Sequence, residues 1–374
     1  MEIIDAVKRA MNNIIKEGIT DVELFARPFE IDLISNDKNK DIIIQHVVNC
    51  IKTAISGDKE KIVENLELRQ IGKVLVPKKR NYDFRKCALI DVIDEIKYLA
   101  IVLLLANKIE KKRISKNNNT IFSYRYNAAD TNGWLFHRNI GMAAFRNCNL
   151  RNSRKQKYKV VVECDISNFY DRLNIHRLES TLLSTVAKSN DEQKIVEIIN
   201  QILLFWSNRD SYGLPVGSNA SRILAEASLI DIDKYLLDNK IPFTRFVDDF
   251  RLFATSAEQA NKFLSLLINR LAQDGLFLNS GKTKIIDISE QKEDNNLYDE
   301  EIKILEKSPE EKRIISGYVG LVPTKFRKLS YSEIVKYKEL NPIELIESLK
   351  NKVVIKESDE EIKKCIKSIV AQDQ

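Results

Sequence analysis

Three aspartates in two parts of the sequence have the surroundings of a metal site. Asp165 follows the apolar run KVVVEC at 159–164, and Asp248 and Asp249 stand together inside FTRFVDDFRLFA at 243–254. Adjacent carboxylates in apolar surroundings repel each other and lose hydration unless a cation compensates them. Mg²⁺ prefers oxygen ligands and would supply that charge, and a pair of such ions promotes attack of a hydroxyl on a phosphate. The alternative is a polar turn with two hydrated aspartates, and the acidic pair alone favours that alternative.

The elements that would position these aspartates can be predicted from hydrophobic periodicity. The run before Asp165 is typical of a central strand, and the alternation around the acidic pair predicts a hairpin with both acids at its tip. Residues 25–34 read as extended, and residues 71–90 read as a second hairpin. Helices are predicted at 1–16, 41–56, 91–112, 177–187, 191–206 (capped by Asn190 with Gln193), 218–239 and 257–274, with an extended segment at 276–287.

Composition narrows the class of protein. The chain has 374 residues, of which 44% are hydrophobic, so it can bury a sizeable core in two or three domains or subdomains. The longest apolar stretch, Leu99–Ala106, is far shorter than the roughly 20 residues of a membrane span, and the N-terminus lacks a signal-peptide pattern. The five cysteines form no CxxC pair and the three histidines are scattered, so neither a disulfide framework nor a zinc site is expected. We expect a cytoplasmic protein with reduced thiols and no membrane contact.

Positive charge is concentrated in one part of the chain. Residues 71–160 contain 20 Lys and Arg against 6 Asp and Glu, a net charge of +14, whereas the rest of the chain has a net charge of −8. Such an asymmetry is typical of a polyanion-binding surface. A hydrated basic face without a partner explains the charge equally well.

Four segments around the aspartates occur in a recognisable order. VVECDISNFYDRL (161–173) resembles motif A of the reverse transcriptases, GLPVGSNASRILAE (213–226) motif B, RFVDDFRLF (245–253) motif C and GLFLNSGKTKIID (275–287) motif D. Upstream, KVLVPKKRNYDFRKCALI (73–90) is similar to the fingers hairpin of that family, and IFSYRYN (121–127) to a further segment of it. The resemblance extends from about residue 71 to residue 287, and is greatest to the bacterial branch of retron, abortive-infection and defence-associated enzymes.

The resemblance implies a set of catalytic residues. Asp165, the main-chain carbonyl of Ile166, Asp248 and Asp249 match the ligands of two Mg²⁺ ions, for which Mn²⁺ could substitute. Lys282 matches the general acid that protonates the departing pyrophosphate. Lys284 is the alternative candidate, and a turn lysine exposed to solvent is a third reading.

The resemblance also implies nucleotide-binding residues. Lys78 and Arg85 match the pair that grips the triphosphate, although a basic surface hairpin is the plain alternative. Tyr170 matches the aromatic gate that excludes a ribose 2′-hydroxyl, and its alternative is a core aromatic. The motif B loop would contact the nascent base pair, with Gly217 allowing close backbone approach. In that loop, which also contains Pro215, Val216 stands where many reverse transcriptases have Gln.

The fold implied by the resemblance is α+β, a right-hand polymerase with fingers, palm and thumb and an antiparallel palm sheet backed by helices. Residues 1–70 would form an N-terminal helical extension, 71–150 the fingers interleaved with the palm, 151–289 the palm with motifs A to D, and 290–374 a small helical thumb or C-terminal region. No motif of a second catalytic domain is visible.

The implied function is an RNA-directed DNA polymerase acting on a noncoding RNA template in antiphage defence. Its partners would be that RNA, the DNA product and dNTPs, with a homo-oligomer or a companion protein possible. Two alternatives stay open. An RNA-dependent RNA polymerase is disfavoured by the aromatic Tyr170, and a non-catalytic or untemplated nucleic-acid-binding subunit of a defence complex is disfavoured by the intact aspartate set.

Overall fold

The computed structural model describes residues 1–20, 22, 28–77 and 84–289. Helices dominate the N-terminal part of the described chain, and the larger sheet forms after residue 159. The helices are α1 (Ile3–Glu17), α2 (Glu30–Ser35), α3 (Asp37–Ser56), α4 (Ile62–Asn65), α5 (Val92–Lys112), α6 (Met142–Ser153), α7 (Phe169–Arg172), α8 (Ile175–Thr181), α9 (Asn190–Trp206), α10 (Asn219–Ser228), α11 (Ile230–Asp238) and α12 (Ala257–Gln273). The strands are β1 (Gly72–Pro77), β2 (Phe84–Leu89), β3 (Val160–Asp165), β4 (Phe243–Phe246), β5 (Asp249–Ala254) and β6 (Lys284–Asp287).

The larger sheet has four antiparallel strands in the order β4-β5-β3-β6. Its central strand β3 pairs with β5 on one side and with β6 on the other. Val162, Cys164, Phe250 and Leu252 are buried, because they point to the side of the sheet on which α12 packs. The intervening residues alternate to the other side. There Glu163 pairs with Arg251, while Val161 and Phe253 are buried in a smaller apolar cluster.

The helix α5 runs through the centre of the helical part. Asp91 caps its first turn by accepting a hydrogen bond from the Ile93 amide, and most of its side chains are buried. It packs against α1, α3, α9 and α10. The apolar stretch Leu99–Ala106 therefore belongs to the core of the protein, where apolar residues occur on all sides of a helix. Among the described helices, none combines the length and apolar composition needed to cross a membrane.

A separate two-stranded hairpin, β1–β2, precedes α5. Its register places Val76 opposite Arg85, and most of its side chains are exposed. The Ala88 amide donates a hydrogen bond to the Val216 carbonyl (3.1 Å), which connects this hairpin to the loop before α10. The predicted hairpin at 71–90 is confirmed by the pairing of β1 with β2.

Three local predictions are wrong. The segment expected to be extended at 25–34 contains the helix α2 from Glu30. The single helix expected at 218–239 is two helices that separate at Leu229, where the first turn of α11 begins. The capping box of α9 is formed by Ser189 with Glu192, because the Ser189 hydroxyl accepts from the Glu192 amide while the Glu192 carboxylate bonds back.

The predicted thumb at 290–374 and the predicted turn of the first hairpin at 81–83 lie outside the described residues. The domain boundaries at residues 70, 150 and 289 stay predictions.

Candidate active site

Three aspartates meet at one end of the four-stranded sheet, and we call them the aspartate cluster: Asp165, Asp248 and Asp249. Asp165 is the last residue of β3 and lies directly opposite Asp249, the first residue of β5. Asp248 occupies the two-residue turn between β4 and β5, and its carbonyl accepts a hydrogen bond from the Ile166 amide (3.0 Å). The predicted hairpin at 243–254 is confirmed, but its turn is Val247–Asp248, so only one acid of the pair lies at the tip.

The backbone around Asp165 is held from two sides. The Asn279 amide donates to the Asp165 carbonyl (2.7 Å), and the Ser167 amide donates to the Phe277 carbonyl (2.8 Å). Ile166 is buried and forms an isolated bridge with Leu278. The turn residue Val247 has a positive φ of 58°, a costly conformation for a β-branched residue. These contacts fix the strand end and the turn, and therefore the positions of the carboxylates.

Two cations contact this group of acids. The Lys282 ammonium donates to Asp165 Oδ2 (2.8 Å), and Arg251 bridges Asp249 Oδ1 (2.6 Å) and Glu163 Oε1 (3.0 Å). Three carboxylates share these two cations in the described ion pairs, and Asp248 adds a fourth carboxylate, which leaves a net charge of −2 if all are ionised. Such a deficit is unfavourable at a partly buried site and fits the binding of divalent cations.

The pKa values express the same deficit. Burial, with the negative charge of Asp165 added, raises the pKa of Asp248 to about 7. Burial also raises the pKa of Asp249, although the Arg251 guanidinium opposes it. The hydrogen bond to Asp165 raises the pKa of the Lys282 ammonium, so this lysine keeps its proton at the cluster. Lys284 lies opposite Glu163 in the β3–β6 pairing and is exposed; the described structure therefore brings Lys282 to Asp165 and leaves Lys284 further along the sheet.

Tyr170 lies on the short helix α7, five residues beyond Asp165. Its ring packs edge-on against Phe169, with ring centres 5.6 Å apart. Burial raises the pKa of its phenol well above the ordinary value, and among the neighbouring groups that act on it are Tyr124, Arg222 and Asp248. This tyrosine is therefore near enough to Asp248 for the carboxylate to act on its phenol, and its role as a sugar gate stays a prediction.

The loop that resembles motif B connects three parts of the molecule. The Leu214 amide donates to the Tyr170 carbonyl (2.9 Å), and Pro215 is buried. Val216 accepts the hydrogen bond from β2 already described. Gly217 has a φ of 118°, and a Cβ there would lie only 2.2 Å from the Thr20 hydroxyl. The segment that follows α1 therefore lies close against Gly217, and the approach of this glycine to a nascent base pair stays a prediction.

Of the predicted triphosphate-binding pair, Arg85 belongs to the described residues and Lys78 does not. Arg85 is exposed on β2, and the described hydrogen bonds and ion pairs do not connect it with the aspartate cluster. Lys78 lies outside the described residues.

A second group of charged residues surrounds Arg245 of the same hairpin, and sequence reasoning missed it. We call it the arginine cluster: Arg113, Arg125 and Arg245 with Glu110, Glu226 and Asp233. Arg245 is fully buried and donates from Nε to Asp233 (2.8 Å) and from Nη2 to Glu226 (3.0 Å). Three cations balance three carboxylates. The arginine in the apolar alternation of β4 was the available signal, since a buried guanidinium requires partners.

The arginine cluster supports the turn that carries Asp248. Arg245 Nη1 donates to the Val247 carbonyl (2.8 Å) inside that turn. The Arg245 amide donates a hydrogen bond to the Thr120 carbonyl (2.8 Å), and the Phe122 amide donates to the Arg245 carbonyl (3.0 Å). These bonds lie at the start of the segment IFSYRYN (121–127). Arg245 is accordingly a positioning residue for the aspartate cluster.

Solved structures of telomerases show weak overall similarity to this chain. Apo telomerase from Candida tropicalis truncated from its C-terminal domain is 18% identical over 59% of this chain and 50% of that chain, with a TM-score of 0.39. Telomerase from Candida albicans, in complex with a TWJ fragment of telomeric RNA, is 16% identical over 59% and 43%, with a TM-score of 0.40. The chain thus spans about half the length of these two structures. No curated protein matches the sequence.

The family comparison is stronger. The family model described as reverse transcriptase (RNA-dependent DNA polymerase) matches residues 96–312, more than half of the chain. The match includes the aspartate cluster, the motif B loop and Lys282. The antiparallel sheet that carries the aspartates, with helices behind it, is consistent with the palm of a right-hand polymerase. The chain belongs to the reverse transcriptase family.

Proposed function

We propose that this protein is an RNA-directed DNA polymerase that joins dNTPs by phosphoryl transfer at the aspartate cluster. One observation carries the proposal. Asp165, Asp248 and Asp249 meet at the end of the palm sheet with fewer cations than carboxylates. Keeping such a cluster costs stability, and a family member that bound nucleic acid without catalysis would gain nothing from it.

The donors of the cluster fit hard divalent cations, since all three side chains offer carboxylate oxygens. Asp165, Asp248 and Asp249 would hold Mg²⁺, with Mn²⁺ as a substitute and the Ile166 carbonyl as a further ligand. When bound, such ions lower the pKa of a primer 3′-hydroxyl and neutralise triphosphate charge. Arg251 keeps Asp249 and Glu163 in place through its two ion pairs.

Lys282 is the proposed proton donor to pyrophosphate. Its ammonium is held at Asp165, and its raised pKa keeps it protonated at neutral pH. A cation and this ammonium compete for the same carboxylate oxygen. A bound cation at Asp165 therefore leaves Lys282 available for the phosphates of the nucleotide.

Tyr170 is the proposed sugar gate. A partly buried ring that packs against Phe169 would clash with a ribose 2′-hydroxyl, and so select deoxynucleotides. Tyr170→Ala should admit ribonucleotides while primer extension with dNTPs continues. Unchanged sugar selectivity in this variant would remove Tyr170 from the gate.

The template would be a structured noncoding RNA, and the biological setting antiphage defence, as in the retron and abortive-infection branch that the motifs resemble. The basic segment 71–160 would bind the template–primer backbone and, through Lys78 and Arg85, the phosphates of the incoming nucleotide. Because phosphate contacts release counterions, this binding should weaken steeply with salt. The protein would act in the cell as a homo-oligomer or together with a companion protein.

The experiment that tests the proposal uses the full-length protein purified with any RNA it carries. It is incubated with labelled dNTPs and Mg²⁺, then with Mn²⁺, beside Asp248→Asn and a matched control, Asp238→Asn, on the exposed end of α11. The RNA and the product are both sequenced. We expect DNA from the wild type and from Asp238→Asn, and none from Asp248→Asn.

The outcomes separate the candidate functions. Product complementary to one copurified RNA supports a dedicated-template reverse transcriptase. Product without complementarity indicates untemplated synthesis, and incorporation of ribonucleotides in preference to dNTPs indicates an RNA polymerase. Equal product from Asp248→Asn would refute catalysis at the aspartate cluster, and no product from any protein would favour a binding subunit.

A further inference from the structure

A second group of potential metal ligands lies away from the aspartate cluster, in the N-terminal helical part. His46 and Cys50 are one turn apart on α3, and Glu67 follows α4 at the start of the connection to β1. His46 Nε2 is 3.8 Å from Cys50 Sγ and 3.5 Å from Glu67 Oε2. One donor atom of each residue lies within 4.8 Å of the other two. The sequence spacing predicted no zinc site, because Glu67 is brought to α3 only by the fold.

These distances match the edges of a metal tetrahedron. With metal–nitrogen, metal–oxygen and metal–sulfur bonds of about 2.0–2.3 Å, the donor atoms of a tetrahedral zinc site are roughly 3.3–3.7 Å apart. The two distances from His46 Nε2, 3.5 and 3.8 Å, lie at or just beyond that range. Small side-chain rotations would therefore suffice for binding, without movement of α3.

The backbone favours this arrangement. Residues four apart on a helix lie on the same face, so His46 and Cys50 point to one place. Glu67 has a positive φ of 49° and its amide bonds to the Glu64 carbonyl (2.8 Å), which ends α4 in a tight turn. The carboxylate consequently reaches back to α3, although most of its surface remains in solvent.

The donor set also fits a borderline-soft ion. Imidazole, thiolate and carboxylate are the three ligand types that zinc takes in proteins, whereas Mg²⁺ avoids sulfur. The Cys50 thiol is buried, while the His46 and Glu67 side chains are 47% and 63% exposed, so an ion has an open path to the site. Burial raises the pKa of the Cys50 thiol, with Lys97 opposing and Glu67 and Asp94 reinforcing that shift. An arriving ion must therefore displace the thiol proton.

We propose that His46, Cys50 and Glu67 bind one Zn²⁺ ion, with water as the fourth ligand, and that this ion fastens α3 to the segment leading into β1. The site uses none of the residues of the aspartate cluster. It is therefore independent of the proposed polymerase function, and its test does not need nucleic acid or catalysis.

Cobalt is the probe that reports a thiolate ligand directly. The full-length protein, freed of metal by a chelator, is titrated with Co²⁺ in the Asp248→Asn background, which weakens the competing carboxylate site. We expect a sulfur-to-cobalt charge-transfer absorption in the near ultraviolet that saturates at one equivalent. Zn²⁺ should displace the Co²⁺ stoichiometrically and abolish the band.

Matched variants locate the ligands. The band should vanish in Cys50→Ser and persist in Cys148→Ser, which changes another buried free thiol outside the group. Glu67→Gln alters a largely exposed side chain and leaves the fold intact, and it should weaken Co²⁺ binding about tenfold or more. The thermal midpoint should rise with Zn²⁺ in the Asp248→Asn protein and not after Cys50→Ser is added.

Two results would overturn the proposal. The absence of a charge-transfer band at saturating Co²⁺ would show that the thiol is not a ligand. A band retained with full affinity in both Glu67→Gln and His46→Ala would place the cobalt elsewhere, and the group would then be a surface ion pair beside a buried thiol.

Discussion

Two groups of carboxylates meet the hairpin β4–β5, one at Arg245 and one at Asp248, and they differ in their balance of charge. In the arginine cluster, Glu226 is buried together with Arg245 and Arg113. Burial alone would raise the pKa of Glu226, but these two guanidinium groups hold it below the ordinary value. In the aspartate cluster, Asp248 is half-buried, and its pKa rises to about 7 because burial and Asp165 act together.

The two clusters have different consequences for the protein. A carboxylate matched by guanidinium groups stays ionised without an external ion and fixes the hairpin in position. A carboxylate without matching cations keeps a need for positive charge, and a divalent ion with its nucleotide can satisfy that need. Arg245 joins the two, because it completes the balanced cluster and also holds the turn before Asp248. Arg245 and Asp248 thus lie three residues apart, the first in the cluster that stabilises the hairpin and the second in the cluster that can bind cations.

The largest effect is expected from removing the unbalanced charge of the aspartate cluster. Asp248→Asn should lower polymerisation by at least ~10³-fold, the scale seen when a group that stabilises transition-state charge in phosphoryl transfer is lost. The same change should leave the free energy of unfolding of the metal-free protein unchanged or higher, because it deletes a repelled, half-buried charge. Primer-extension rates and denaturant unfolding with chelator present measure the two effects. A large loss of stability would mean that Asp248 is structural.

The opposite change is to break the balanced cluster. Arg245→Met should lower the free energy of unfolding by about 3–5 kcal/mol, because Glu226 and Asp233 would remain buried without their main partner. Arg270→Met, which removes the partner of Asp274 in a less buried pair on α12, is the matched control and should cost less than about 1 kcal/mol. Urea unfolding of both variants gives the comparison. A similar loss of unfolding free energy in both variants would show that the charge balance at Arg245 does not stabilise the protein more than an ordinary ion pair does.

The parts of this site that could be predicted from the sequence are those encoded locally. Asp165 at the end of β3 and the hairpin around Asp248 follow from short apolar runs interrupted by acids. The motif order then places these segments in the palm of one family. Lys282 could be named for the same reason, although its contact with Asp165 spans 117 residues and is shown only by the structure.

The parts that could not be predicted depend on contacts between distant segments. Arg245 is a charged residue in a strand whose pattern is otherwise apolar. Its partners Glu226 and Asp233 lie on two helices that were predicted as one. The approach of Thr20 to Gly217 joins positions almost 200 residues apart, and no periodicity indicates it. Glu67 meets His46 only because α4 ends in a left-handed turn.

A further carboxylate, that of Glu95, is buried but is not a proposed metal ligand, so it shows the effect of burial alone. Glu95 on α5 accepts a hydrogen bond from Ser218 (2.7 Å), and its other oxygen is buried without a hydrogen-bond partner among the described residues. Burial raises its pKa to about 8, with Ser218 and Arg222 opposing. The folded protein thus keeps Glu95 protonated at neutral pH, whereas the unfolded chain ionises it above about pH 4.5.

The stability that Glu95 contributes to the folded protein decreases as the pH rises. The protonated folded state contributes stability that is complete below about pH 4.5 and is lost as the pH rises to about 8. Glu95→Gln cannot ionise and should not lose it, so the variant should gain roughly 2–4 kcal/mol relative to wild type between pH 5 and pH 9. Chemical unfolding at both pH values measures this difference. A pH-independent difference would show that Glu95 is ionised in the folded protein.

The smallest expected effect concerns the loop beside the aspartate cluster. Gly217→Ala places a Cβ at a positive φ of 118° and against the Thr20 hydroxyl, so it should destabilise the protein by about 1–2 kcal/mol. The double variant Gly217→Ala with Thr20→Ala removes the hydroxyl and should recover only the steric part, because the backbone conformation stays unfavourable for alanine. Gly213→Ala is the matched control, since its φ is also positive, at 101°, but its new Cβ would meet the nearest atom at an ordinary 3.8 Å. If the two glycine variants lose equal stability, backbone conformation alone explains the cost, and the segment after α1 exerts no steric pressure on the loop that would receive the base pair.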